Sequence, residues 1–289
     1  MKFLKMLRSS WPFCLCLFTA IKLSAMDPRI YLQYLTTDNL IYGYNLVRSG
    51  LTFHASYSIK WVMYGKTYSF DIVLPSGESD GEVNQPTVMR DANGKITLID
   101  DGNKIPVLLS AIPYHQAHVD EIKQVVMLDD FVIYSFNLDF ERRWSNWHQL
   151  VEKNPNLAFK LYPTLDYTAP SQIDLIRFVL DMWDRKKPAL VQCRAGQGRS
   201  ATGLGAYLIL LGALAGQTLE VNEIEQYLRG KRAHVSLNSP QQAALKEFMG
   251  ELAQLNHHAK GLIQALKEKY REQIVQRELE IQKNFAPIR

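Results

Sequence analysis

Cysteine is nearly missing from this chain. Three occur in 289 residues, and two of them, Cys14 and Cys16, fall in the first 16. A scaffold stapled by several disulfides is thereby excluded. If the N-terminal segment is removed, Cys193 is the one thiol left. A lone thiol is either packing or a reactive nucleophile, and its surroundings decide. An excess of either charge is lacking too: 33 basic and 29 acidic residues leave a net charge of +4. That suits anionic ligands or a membrane surface but is too weak to argue for nucleic-acid binding. No repeat period and no low-complexity tract is present, so repeat arrays and compositional linkers are set aside. Long apolar runs are scarce. The strongest, residues 200–216, reaches only the lower limit of the ~17–25 residues a span needs. It follows directly on a charged glycine loop, so a central helix buried on all sides is expected instead.

What is present begins with "MKFLKMLRSS", which carries Lys2, Lys5 and Arg8 and no acid. The apolar "WPFCLCLFTAI" follows, then "KLSA" with small residues at Ser24 and Ala25. Basic, apolar and small in that order is the pattern of a secretory signal peptide. Residues 1–25 are therefore expected to direct the chain to the periplasm or outside the cell. An organelle-targeting, mitochondrial-type presequence is the alternative. No lipidation motif surrounds Cys14 or Cys16.

Residues 26–104 read as a β-rich region. Alternation at Tyr57, Ile59, Trp61 and Met63 resumes at Tyr68, Phe70, Ile72 and Leu74 after Gly65, which predicts a hairpin. Residues 75–86 have loop composition. Two more strands are expected around Asn93-Gly94 and Asp101-Gly102. From 105 to 255, strands alternate with helices: strand "IPVLLSAI", helix 115–123, strand "VVML", helix 139–152, strand "FKLYPT". A helix opens at Pro170 and Ser171 and runs to Trp183, with Ile173, Ile176, Val179 and Leu180 on its buried side. The apolar strand "ALVQC" then ends at Cys193, and further helices fit 220–229 and 240–254. The expected fold class is α/β, a central sheet flanked by helices. A C-terminal helix is expected over 256–289. Its apolar stripe, Ile263, Leu266, Tyr270, Ile274 and Ile281, is narrow and needs a surface to lie on. That surface is either its own domain, with the β-rich segment a candidate, or a partner helix or dimer seam.

The chemistry concentrates in "VQCRAGQGRSAT". A strand, a Cys-x5-Arg loop and a helix make a phosphate cradle. Gly196 and Gly198 let the backbone turn its N–H groups inward, and the helix starting near Arg199 adds its positive end. These groups favour a thiolate at Cys193. Arg199 forks onto phosphate oxygens, and Ser200 is placed to hydrogen-bond the sulfur and ease its departure. The loop residues Arg194, Ala195, Gly196, Gln197 and Gly198 are expected to surround the phosphate. Expelling an alkoxide needs a proton, and Asp166 in "YPTLDYTAPS" is the candidate donor, among largely apolar neighbours. A capping role for Asp166 at the following helix is the bland alternative.

"CRAGQGRSAT" resembles the signature loop of the cysteine-dependent tyrosine and dual-specificity phosphatases, and "LDYTAPS" resembles their acid loop. "AYLI" and "RAHVSLNSPQQAALKEF" resemble the helices of the mitochondrial phosphatidylglycerophosphate phosphatase branch. The resemblance covers about 105–254. It implies a dual-specificity-phosphatase-like fold, with Cys193 as nucleophile, Arg199 as phosphate clamp and Asp166 as acid, then base. Gln241 matches a position that helps orient the hydrolytic water; a solvent-exposed glutamine is the equal alternative. The family usually has histidine before the cysteine, and here Gln192 stands there, without an imidazole to depress the thiol pKa. Arg194 adds a cation that suits a phospholipid or inositol phosphate, with membrane-surface contact in the lipid case. It serves equally as a solvated loop residue. A phosphoprotein substrate stays open, as does an inactive, phosphate-binding module. His115, His118, His234, His257 and His258 make no ligand spacing, and neither metal nor other cofactor is expected.

Overall fold

The computed structural model describes residues 70–74, 85–103, 105–113, 115–144, 147–255 and 259–284. The N-terminal segment, the first arm of the expected hairpin and most of the 75–86 loop lie outside these residues.

Five strands form the main sheet: β1 (Phe70–Leu74), β4 (Val107–Ala111), β5 (Val132–Ser135), β6 (Ala158–Leu161) and β7 (Ala189–Cys193). Their order is β1-β4-β7-β5-β6. β4, β7, β5 and β6 are parallel, and β1 is antiparallel to β4. The central strands β4 and β7 are buried at every residue, as strands covered on both faces must be. Among the described residues the sheet thus takes in Phe70–Leu74, which precede the boundary expected at 105. β2 (Thr87–Arg90) and β3 (Ile96–Asp100) make a separate two-stranded ribbon. It turns at Asn93-Gly94, where Gly94 has φ 79° and the Asp91 carboxylate accepts from the N–H groups of Asn93 and Lys95.

The pleat sorts side chains between two cores. Val107, Leu109, Val191 and Cys193 face the larger one, shared with α4 (Gln172–Trp183), α5 (Arg199–Leu214), α6 (Val221–Lys231) and α7 (Ser239–Leu255). Leu108, Ile133 and Leu190 face a smaller one, closed by Val119, Ile122 and Val126 of α1 (Gln116–Val126) and Leu150 of α3 (Trp147–Lys153). α5 is the central helix expected from 200–216: of its residues only Ala213 is not buried. Each fully buried leucine or isoleucine there contributes ~1.5–3 kcal/mol. Gly203 is required because a Cβ would stand 2.2 Å from the Phe136 ring. Among the described residues no helix is long and apolar enough to cross a membrane.

Three expectations need correction. "VVML" is not a strand. Val126 completes the buried stripe of His118, Val119 and Ile122, so α1 runs on to it, and Met127 ends the helix with φ 55°. The strand comes later, as β5. The single helix expected over 139–152 is two, α2 (Asp139–Trp144) and α3. Ile173 is half-buried, while Asp174 and Arg177 lie inside.

That inversion follows from α8 (Ala259–Asn284), which packs chiefly on α4. Ile263, Leu266 and Ile281 are buried, and Tyr270 and Ile274 pack against the larger core. Arg277 of α8 forks onto the Asp174 carboxylate, with Nη2 at 2.7 Å from Oδ2 and Nε at 3.1 Å from Oδ1. The C-terminal stripe therefore lies on its own domain, and among the described residues the surface it meets is chiefly α4.

Candidate active site

The parallel strands end on one edge of the sheet, where α/β folds place their ligands. β7 brings Cys193 there beside Ala111 of β4. The chain leaving β6 carries Asp166, and the chain leaving β5 carries Phe136, Asn137 and, at the start of α2, Glu141.

After Cys193 the loop turns through Gly196, which has φ 69°. A Cβ there would lie 2.5 Å from the Ser110 carbonyl, so the position admits only glycine. Three outward carbonyls are held. Arg232 donates from Nε to Gly196 O (3.0 Å) and from Nη2 to Ala195 O (3.1 Å), and Ser236 N–H reaches Gln197 O (3.1 Å). Turning the carbonyls out turns the N–H groups in, and Gly196 N–H points at Cys193 Sγ from 3.3 Å. Arg232 is braced in turn by Asp71 of β1, at 2.6 Å.

Cys193 is 3 % exposed, at the base of the site. Burial pushes its thiol pKa up. The Arg199 charge and hydrogen bonds from the Ser200 hydroxyl (3.1 Å) and N–H more than offset this, so the net shift is down.

Arg199, the first residue of α5, is wholly buried. Glu141 takes it in a bidentate pair: Nη1 to Oε2 at 2.7 Å and Nη2 to Oε1 at 2.8 Å. Nη1 also donates to Thr164 O (2.8 Å) and Phe136 O (3.2 Å). The guanidinium plane is fixed by these contacts. Burial lowers its pKa, but the carboxylates of Glu141 and Asp166 outweigh burial and hold it fully charged. Its Nε is buried with no hydrogen-bond partner among the described residues.

Asp166 closes the site from above. Oδ1 lies 3.2 Å from Arg199 Nη2, and Oδ2 lies 2.9 Å from Arg194 Nη1. Ser171, not Asp166, caps α4, by accepting from Asp174 N–H at 3.2 Å. The next residue, Tyr167, has φ 65°, rare for a bulky side chain. Asn238 Nδ2 donates to Tyr167 O (2.9 Å) and Gln241 Nε2 to Thr168 O (3.1 Å). Gln241 is 2 % exposed, not solvated, and its amide packs against Gly198, where a Cβ would stand 2.8 Å away. It bridges the catalytic loop and the acid loop.

Cys193, Arg199, Ser200, Asp166, Arg194 and Gln241 thus converge, on a loop of Ala195, Gly196, Gln197 and Gly198. Gln192 does not. The pleat turns its side chain to the opposite face, where Nε2 donates to Ser135 Oγ at 3.1 Å. Sequence reasoning missed Glu141, which nothing marks among the charges of "DFERRW". It also left Arg232 without a role, although the basic cluster "RGKRAH" could have drawn attention to it. Among the described residues no group of His, Cys, Asp and Glu is arranged to hold a metal ion.

A thiol held toward thiolate, a fixed guanidinium and a facing carboxylate thus meet at the C-terminal edge of a parallel sheet. Residues 113–248 match the family described as PTP-SAK, the Swiss Army Knife protein DSP-PTPase phosphatase domain. No curated protein matches the chain. Similar solved structures include PTPMT1 in complex with PI(5)P, at 24% identity over 51% of this chain and 92% of that one, with a TM-score of 0.44. Tk-PTP in its active form is 26% identical over 50% and 91%, with a TM-score of 0.40. Kinase associated phosphatase, with its catalytic cysteine substituted by serine, is 17% identical over 61% and 99%, with a TM-score of 0.44.

Proposed function

We propose that the protein hydrolyses phosphomonoesters through a phosphocysteine intermediate. The observation that carries this reading is the buried Arg199 Nε, a donor without a partner among the described residues, in the same loop as a thiol whose pKa is lowered. A phosphate oxygen satisfies such a donor, and the thiolate is the nucleophile beside it. Sγ forms a bond to phosphorus as the ester P–O bond breaks, and the leaving oxygen takes its proton from Asp166. Water then gives a proton to the Asp166 carboxylate and attacks phosphorus. The S–P bond breaks, and its electron pair returns to Cys193 under the Ser200 hydrogen bond. Gln241, buried between Gly198 and the acid loop, orients that water.

For substrate class the proposal is a phospholipid or inositol phosphate, supported by the net charge of +4 and by a second cation, Arg232, held against the loop that leads to Arg199. A phosphotyrosine protein is the alternative, which a panel of phosphorylated lipids, inositol phosphates and phosphopeptides resolves. Export by removal of residues 1–25 is part of the proposal, tested by N-terminal sequencing of the mature protein.

The decisive experiment is turnover of p-nitrophenyl phosphate. The parent chain is expected to turn it over with vanadate inhibition and no effect of chelators. Cys193→Ser should abolish turnover yet retain phosphate-ester binding. Equal rates from parent and variant, or an inactive parent that still captures phosphorylated ligands, would replace the enzyme with a binding module.

A further inference from the structure

We infer that Arg194 is the positioning residue of the general acid, holding Asp166 over the leaving oxygen, and is not there to bind a second substrate phosphate. The inference rests on the phosphatase reading above and assigns a role within it. Arg194 Nη1 lies 2.9 Å from Asp166 Oδ2, both side chains are 14 % exposed, and the guanidinium carbon stands 6.0 Å from the centre of the Tyr167 ring. The cation of the catalytic loop is thus spent on the acid loop, on its carboxylate and its aromatic neighbour together.

The acid loop needs such a contact. Tyr167 is in the left-handed region at φ 65°, a conformation that persists only where surroundings hold it. Asn238 and Gln241 hold the far side of the turn through Tyr167 O and Thr168 O. On the carboxylate side, Oδ1 accepts from Tyr167 N–H at 3.2 Å and lies 3.2 Å from Arg199, while Oδ2 faces Arg194. Arg199 cannot serve both purposes, because a bound phosphate takes the same donors. When phosphate occupies the Arg199 fork, the Asp166 contact there gives way. Arg194 lies on the other carboxylate oxygen and has no reason to let go. Its contact on Oδ2 persists while Asp166 carries its proton on Oδ1, and becomes an ion pair as the departing ester oxygen takes that proton. Arg194 itself forms and breaks no covalent bond.

The two uses of Arg194 differ in what they predict. A positioning role depends on how badly the leaving group needs a proton. A substrate role depends on how many phosphates the substrate carries. The test measures kcat and KM for the full chain with aryl phosphates from p-nitrophenyl to phenyl phosphate, and with inositol mono- and bisphosphates. Arg194→Met and Arg194→Lys are compared with the parent, each also in an Asp166→Ala background. Arg194→Met is expected to lower kcat by ~10-fold for phenyl phosphate and by under ~2-fold for p-nitrophenyl phosphate, a part of the ~10²–10⁴ a general acid supplies. KM should hold, Arg194→Lys should recover part of the loss, and neither change should matter once Asp166 is alanine. Loss of the same size in both backgrounds overturns the inference. So does a rise in KM confined to the bisphosphate, which would give Arg194 to the substrate. A parent chain that turns over nothing overturns the phosphatase reading and this inference with it. Melting temperatures of the variants separate misfolding, which would slow all substrates alike.

Discussion

At Cys193 two opposing effects meet, and their balance has a measurable sign. Burial alone would raise the thiol pKa; Arg199 and Ser200 lower it by more. A lowered pKa means that thiolate, the reactive form, is present at lower pH than in a free cysteine, whose value is about 8.5. In a chain with Cys14 and Cys16 replaced by serine, the rate of alkylation by iodoacetate should rise with a midpoint below that value. Ser200→Ala removes one of the lowering contacts, so its midpoint should move up and phosphocysteine breakdown should slow. A parent midpoint at or above the free value would show that burial wins. Gln192 enters this balance little. The imidazole usually found before the cysteine is replaced by an amide, but the side chain is turned to the other face and bonded to Ser135. The departure from the family pattern was legible in the sequence, whereas its orientation followed from the pleat. Cys193, Arg199 and Ser200 were legible because they share one short segment with its glycines. Glu141 was not, because its pairing with Arg199 joins residues far apart in sequence, and a carboxylate among the charges of "DFERRW" looks solvated until the fold buries it.

Elements read well where period and punctuation agreed. "ALVQC", the helix opening at Ser171 and the largely apolar helix expected over 200–216 are where the residues put them, since each has both a pattern and a terminus signal. "VVML" failed because four apolar residues fit a strand or the last turn of a helix equally, and the upstream stripe decided for the helix. α8 shows the same dependence on context. Its narrow stripe said that a surface was needed and not which one. α4 supplies it, with Asp174 1 % exposed and taking both Arg177 and Arg277. Breaking a buried, hydrogen-bonded pair by removing one partner costs ~3–5 kcal/mol. Arg277 is a quarter exposed, so Arg277→Met is expected to cost less, ~1–2 kcal/mol, read as a fall in thermal midpoint. Truncation after Leu255 should lower the midpoint further, because Leu262, Ile263 and Leu266 leave the core with it. A truncated chain with the parent's midpoint would show that the tail contributes nothing to the fold. Because α4 begins just after the acid loop, the same truncation should also reduce kcat most for poor leaving groups.

For the molecule as a whole, the main sheet takes in a strand from before residue 105. β1 pairs with β4 through Phe70, Asp71, Ile72 and Leu74, and Asp71 braces the arginine that holds the catalytic loop. Arg232→Met should therefore weaken vanadate and phosphate affinity severalfold with little change in fold. An unchanged affinity would make the brace ornamental. The strand β1 has a second consequence, for solubility. It covers the outer edge of β4, a strand buried at every residue. A fragment begun at residue 105, or at 113 where the family match starts, would lack that cover or lack β4 itself. In the first case a row of bare N–H and C=O groups on an apolar strand would stand open as a template for strand addition by another copy. Such a fragment is expected to self-associate in light scattering, where one begun at residue 66 stays monodisperse. β1 therefore acts as a guard against aggregation as well as a brace for the catalytic loop.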